Sequence, residues 1–175
     1  MAGFGNELLI LRGPSGVTDQ SSSGFNATYQ GGMGVTADTG SGGVSAFDFN
    51  GSTHYMTLPP LGISGTSSRS VFAWAKFTAV DSSTVWTLGD KTTGQKFTVR
   101  QDSGFLRVEI EGSGFTSTLA TPTATWLLIG VTFSGTTLAG STLWVGNSSQ
   151  SATGANAVNT TDLAEIGRNN RGTSP

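Results

Sequence analysis

At 175 residues and 17.9 kDa the chain has the length of one domain, long enough to bury roughly 70% of its unfolded surface without covalent staples. Only 11% of the residues are charged and the formal net charge is -2, which excludes a basic face for nucleic acid and a polybasic patch for membranes. The absence of cysteine excludes disulfides, thiolate metal sites and cysteine nucleophiles.

The opening Met1–Asn6 lacks the basic start of a signal peptide, and Glu7 interrupts it before the short run Leu8-Leu9-Ile10-Leu11. No apolar segment approaches the ~20 residues of a membrane helix. These features predict synthesis and folding in a cytoplasm without an export signal, with an N-terminal arm over 1–6 and one domain over 7–175.

Helical periodicity is nearly absent, whereas short apolar runs separated by Gly, Ser, Asn and Asp fill the chain. Strands are predicted near 7–12, 25–29, 44–49, 54–58, 70–79, 84–88, 95–101, 105–111, 115–119, 126–133, 141–146 and 162–167, with a long loop over 13–24. Asn50-Gly51 reads as the turn joining two of them, and Gln101–Gly104 and Glu111–Gly114 as hairpin turns. In the run from Phe105 to Glu111, Leu106, Val108 and Ile110 share one face and Arg107, Glu109 and Glu111 the other, predicting a dry and a wet surface. Trp126 to Phe133 is apolar on both faces, as a central strand is. Two antiparallel sheets packed face to face follow from so many short strands.

Several segments then carry a likeness by their order. They are Leu8–Leu11 with the loop Thr18–Gly24; Ala46-Phe47-Asp48-Phe49-Asn50-Gly51 running on to Pro59; Ser70-Val71-Phe72-Ala73-Trp74-Ala75-Lys76-Phe77; and Trp86-Thr87-Leu88-Gly89-Asp90. Trp126 through Phe133-Ser134-Gly135, Leu143-Trp144-Val145-Gly146-Asn147 and Leu163-Ala164-Glu165-Ile166-Gly167 follow. In this order they resemble the laminin-G-like, concanavalin A-like lectin-glucanase jelly-roll family, of the kind found in tailed-phage structural proteins. The resemblance implies an all-β concanavalin A-like jelly-roll sandwich of two antiparallel sheets. Family members usually continue past the "I-G" strand into a closing strand, but this chain stops at Pro175. Either the sheet lacks that strand, or it is truncated, or a neighbouring chain fills the gap. An unpaired edge is a template for partner strands, which makes Ile166 and Arg168 candidate assembly residues, and Phe4 joins them through a Gly3-Phe4-Gly5 arm that could dock on a neighbour.

Chemistry-bearing residues are few. Glu109 and Glu111 are the only close carboxylate pair, roughly 7 Å apart by strand rise, against the about 5–5.5 Å a retaining glycosidase needs between carboxyl groups. The E-x-D-x-x-E signature of jelly-roll glucanases is absent, since Gly112, Ser113 and Gly114 follow the pair, so a solvated strand face is expected. His54 is the single histidine and anchors neither a zinc site nor a triad. Several family members hold calcium in loops, for which Asp48, Asn50 and Asp90 are the candidate oxygen donors, with Asp38 and Asp102 behind them. Trp74 and Trp126 read as core. Trp144, Trp86 and Asn147 are the candidates for glycan stacking or a subunit interface.

The first expectation is a non-enzymatic virion surface protein of a tailed bacteriophage, a capsid decoration or cement protein that oligomerises and contacts other virion proteins. The alternative is a carbohydrate-binding adhesion module for host surface glycans. A glycoside hydrolase is the weakest reading.

Overall fold

In the computed structural model the described residues are 11, 16–37, 45–92 and 94–169. They form thirteen strands in chain order: β1 (Thr28–Gln30), β2 (Gly34–Ala37), β3 (Ser45–Asp48), β4 (Tyr55–Leu58), β5 (Arg69–Ala75), β6 (Thr84–Gly89), β7 (Lys96–Asp102), β8 (Phe105–Ile110), β9 (Ser113–Ala120), β10 (Leu127–Phe133), β11 (Ser141–Val145), β12 (Ser148–Ser151) and β13 (Ala164–Ile166). One 3-10 turn at Leu138–Gly140 interrupts them.

The strands make a seven-stranded sheet ordered β1-β4-β13-β6-β7-β8-β9, a four-stranded sheet ordered β12-β11-β10-β5, and a β2-β3 ribbon. Every named pairing is antiparallel. The all-β sandwich of antiparallel sheets is therefore the fold. Its core lies between the two large sheets, where Leu88, Phe97, Val99, Leu106, Val108 and Ile110 face Ile129, Val131, Phe133 and Leu143. Burying such a side chain stabilises the fold by about 1.5–3 kcal/mol. Leu106, Val108 and Ile110 are all buried, as their alternation predicts. A second cluster of Ala27, Met33 and Met56 collects Leu11, Val17, Phe47 and Phe49 beneath the ribbon.

Three features depart from the sequence reading. Asn50-Gly51 is not the turn of a hairpin: β3 pairs with β2, and β4 with β1 and β13. The Asn50 side chain instead holds a loop that carries the chain between sheets, its Oδ1 accepting N–H bonds from Ser52, Thr53 and His54. Second, β2 and β12 go unpredicted because Gly-Val-Thr-Ala and Ser-Ser-Gln-Ser carry almost no apolar alternation. Third, β13 is no edge; it lies between β4 and β6, paired on both sides. Gly167 ends it at φ +80 with the Phe49 ring where a Cβ would stand. The expected strand 7–12 falls outside the described residues except for Leu11.

A buried cation fixes the start of β5. Arg69 donates to the Ser67 and Gly65 carbonyls at 2.8 and 2.9 Å and to Thr160 Oγ1 at 2.6 Å. Its guanidinium stands 5.6 and 5.4 Å from the Phe97 and Phe133 ring centres. Burial lowers its pKa to about 10, which leaves it charged at neutral pH.

Candidate functional site

The outer surface of the four-stranded sheet follows from its registers. Because side chains alternate, burying Val71, Ala75, Ile129, Val131, Phe133 and Leu143 against the core turns their neighbours outward. Three rows cross the strands: Ser70, Thr132, Thr142 and Ser151; then Phe72, Gly130, Trp144 and Ser149; then Trp74 beside Leu128. Beyond Trp74, Lys76 Nζ lies 5.4 Å from the Trp126 ring centre.

Within those rows no residue is charged. The face grades from hydroxyls at one end to aromatic and aliphatic side chains at the other. Phe72 is 49% exposed and Trp74 57% exposed, among the largest apolar exposures in the described residues. Gly130 makes room for Phe72, since a Cβ there would meet the ring and the Val71 carbonyl. The indole N–H of half-buried Trp144 donates to Thr132 Oγ1 at 3.5 Å, a long bond that orients the ring along the sheet.

The residues singled out from sequence scatter over the molecule. Trp144 stands on this outer face. Trp86 does not: it is 7% exposed, in the core, edge-on to Phe97 with centroids 6.2 Å apart. Trp74, read as core, is outside, because small Ala73 and Ala75 take the inward positions of β5. Asn147 is exposed on the tight turn between β11 and β12. Ile166 packs against both clusters within its sheet, and the Arg168 guanidinium sits 4.4 Å from the Tyr55 ring centre. Neither belongs to an open edge, as the assembly reading of the C-terminal strand required. Phe4 and Asp38 lie outside the described residues.

The opposite face of the molecule, the outer side of the seven-stranded sheet, is polar but not wet. Thr87 and Thr98 are fully buried there and share a hydroxyl bond of 3.1 Å. Lys96, 1% exposed, reaches Glu109 at 2.9 Å and Glu111 at 2.7 Å. Glu109 also takes Arg100 at 3.0 Å and Arg107 at 3.2 Å. The two glutamates thus share a face, but as a cross-linked charge network and not a solvated one. Burial pushes the Glu109 pKa up, and Lys96 and Arg100 more than offset it, holding the carboxyl below the usual range. A general acid for glycoside cleavage needs the reverse shift.

The calcium candidates do not converge. Asn50 Oδ1 is already a triple acceptor, and Asp90 Oδ1 accepts the Thr92 N–H at 2.8 Å. No group of three or more His, Asp or Glu that could hold a metal ion occurs among the described residues. His54 Nδ1 bonds the Asp48 carbonyl at 2.9 Å, which is local turn chemistry.

Alternation along β5 separates Phe72 and Trp74 from Val71, Ala73 and Ala75, but only its pairing with β10 decides which of the two sets faces the core.

The sequence matches no family model and no curated protein. Among solved structures, the binding domain of botulinum neurotoxin serotype D/C VPI 5993 is similar, with a TM-score of 0.54 and 10% identity. The alignment covers 93% of this chain and 45% of that domain, so the chain spans less than half its length. At that identity the likeness is one of fold alone.

Proposed function

We propose that this chain is a non-enzymatic contact module with a concanavalin A-like jelly roll, and that it serves as a surface protein of a tailed-bacteriophage virion, stabilising the head through subunit contacts. One observation carries the reading: Phe72 and Trp74 stand half exposed, side by side on an uncharged sheet face. Contiguous apolar display of that kind marks a contact surface. The ion-paired state of Glu109 supports a role without catalysis, and the similar solved structure is itself a binding domain. The test uses heads assembled without this protein. The purified chain is expected to sediment with them and to raise the temperature at which they release DNA. Heads that neither bind it nor gain stability would overturn the reading.

A second reading rests on the hydroxyl row of Ser70, Thr132, Thr142 and Ser151 beside the rings of Phe72 and Trp144. Aromatic faces flanked by hydroxyls and free of charge suit a neutral glycan. Glycan-array binding by the monomer, lost on Trp144→Ala with the melting temperature unchanged, would decide for it.

A further inference from the structure

The four-stranded sheet has two edges, and they are treated differently. At β12, the Gln150 side chain bridges to the other sheet, its Oε1 accepting the Thr118 N–H at 2.7 Å and the Thr118 hydroxyl at 3.2 Å. At β5, no strand among the described residues pairs on the side away from β10. Natural edges are usually protected by proline, bulges or charge. β5 has none of these from Ser70 to Ala75, and its seven-pair register with β10 runs without a break. From Ser70 to Ala75 it is uncharged and carries the two exposed rings.

We infer that two copies of this chain pair through their β5 edges, antiparallel about a two-fold axis at Phe72. This deepens the assembly reading by naming the partner, and it rests on that reading. A strand is the occupant that satisfies a row of unpaired main-chain N–H and C=O groups, which a sugar ring does not. Full overlap of Arg69–Ala75 sets Phe72 opposite Phe72 of the second copy and Trp74 opposite its Ser70. That register keeps outward residues opposite outward ones, so neither core is disturbed. Trp74 then lies diagonal to the facing Phe72, within reach of an aromatic side chain. Between Ser70 and Ala75 there is no charge to be set against its own copy.

The size of the contact fixes its strength. Each ring offers about 150–250 Å² when fully buried, and these are already half covered. Two rings per copy plus the strand edges fall below the about 1,200 Å² of a standard stable interface. The isolated dimer is therefore weak, and becomes effective when a lattice repeats it.

The test exploits the cysteine-free sequence. Phe72→Cys, Trp74→Cys and, as a collision control on the far edge, Ser149→Cys are oxidised mildly at equal concentration. The two Cα atoms at position 72 face each other, within the ~7 Å limit of a disulfide. Those at 74 are four pairs apart, about 13 Å along the strands. Phe72→Cys is expected to cross-link at least tenfold faster than either other variant. In parallel, light scattering from micromolar to near-millimolar chain is expected to show a monomer–dimer equilibrium that Trp74→Lys abolishes while leaving the melting temperature unchanged. A monomer throughout, with Phe72→Cys no faster than Ser149→Cys, overturns the inference. If such a monomer still binds heads, the assembly reading survives without β5 pairing. If it instead binds a glycan and Trp74→Lys removes that binding, both fall and the face belongs to a sugar.

Discussion

Gly130 shows how one missing side chain shapes a surface. It lies between Phe72 and Trp144, and the Phe72 ring occupies the space a Cβ would need. Gly130→Ala should therefore cost about 1–3 kcal/mol, as overpacking does, and displace the Phe72 ring. Urea denaturation checks it; an unchanged midpoint would mean that the ring swings away freely. Asn50 yields a second expectation at this scale. Its carbonyl oxygen is committed to three backbone N–H groups, so chelator or added calcium should leave the melting temperature where it is. A rise with calcium would place a cation site elsewhere. The tryptophans show what the sequence hides at this scale. Trp86 and Trp74 sit in similar apolar strands, yet one is core and the other surface. Which parity of a strand faces inward depends on its pairing partner, here β10, and residue size does not announce it.

Elements were read well where alternation is strong and poorly where it is weak. β7, β8, β10 and β11 match their expected spans to within a few residues, because each alternates or carries a long apolar run. β2 and β12 are ribbons of small and polar residues held by their partners, and their strand character is tertiary in origin. The Asn50-Gly51 pair shows the limit of turn chemistry. It specifies a local reversal, but not that the flanking strands pair with each other. Long-range caps are likewise invisible in sequence: Asp162 accepts the backbone N–H groups of Leu61 and Gly62 at 2.8 and 2.7 Å, about a hundred residues away. They lock the connection after β4 to the approach of β13. Asp162→Ala should cost about 1–2 kcal/mol, part of the bond energy to a charged acceptor being returned by water at exposed Gly62. Asp162→Asn, keeping one acceptor, should recover part of that loss. Equal losses in both variants would put the effect in the charge and not in the bonds.

At the scale of the whole molecule, the fold class was legible because turn residues and short apolar runs repeat along the chain, whereas the open aromatic face was not, since it depends on which of two sheet surfaces stays uncovered. The same packing sets how stability responds to pH, with two glutamates pulling in opposite directions. Glu109 is held below the usual carboxylate range by Lys96 and Arg100 in spite of burial. Its contribution is complete above the unfolded pKa and disappears as pH falls through the lower folded one. Glu165 is pushed up by burial, with Arg168 only partly opposing at 3.7 Å. Its charge is a burden above the raised folded pKa, and acid relieves that burden down to the unfolded value. On acidification from neutral pH, the stability curve should first gain from Glu165 and then lose through Glu109. Glu165→Gln should remove the early gain and Glu109→Gln should flatten the later loss while lowering stability at neutral pH. Urea midpoints measured across the acid range for the three proteins separate the two limbs. A Glu165→Gln curve that overlays the unsubstituted one would show that the Glu165 carboxylate keeps its water despite its place beside Arg168, and the network around Glu109 would then govern the acid response alone.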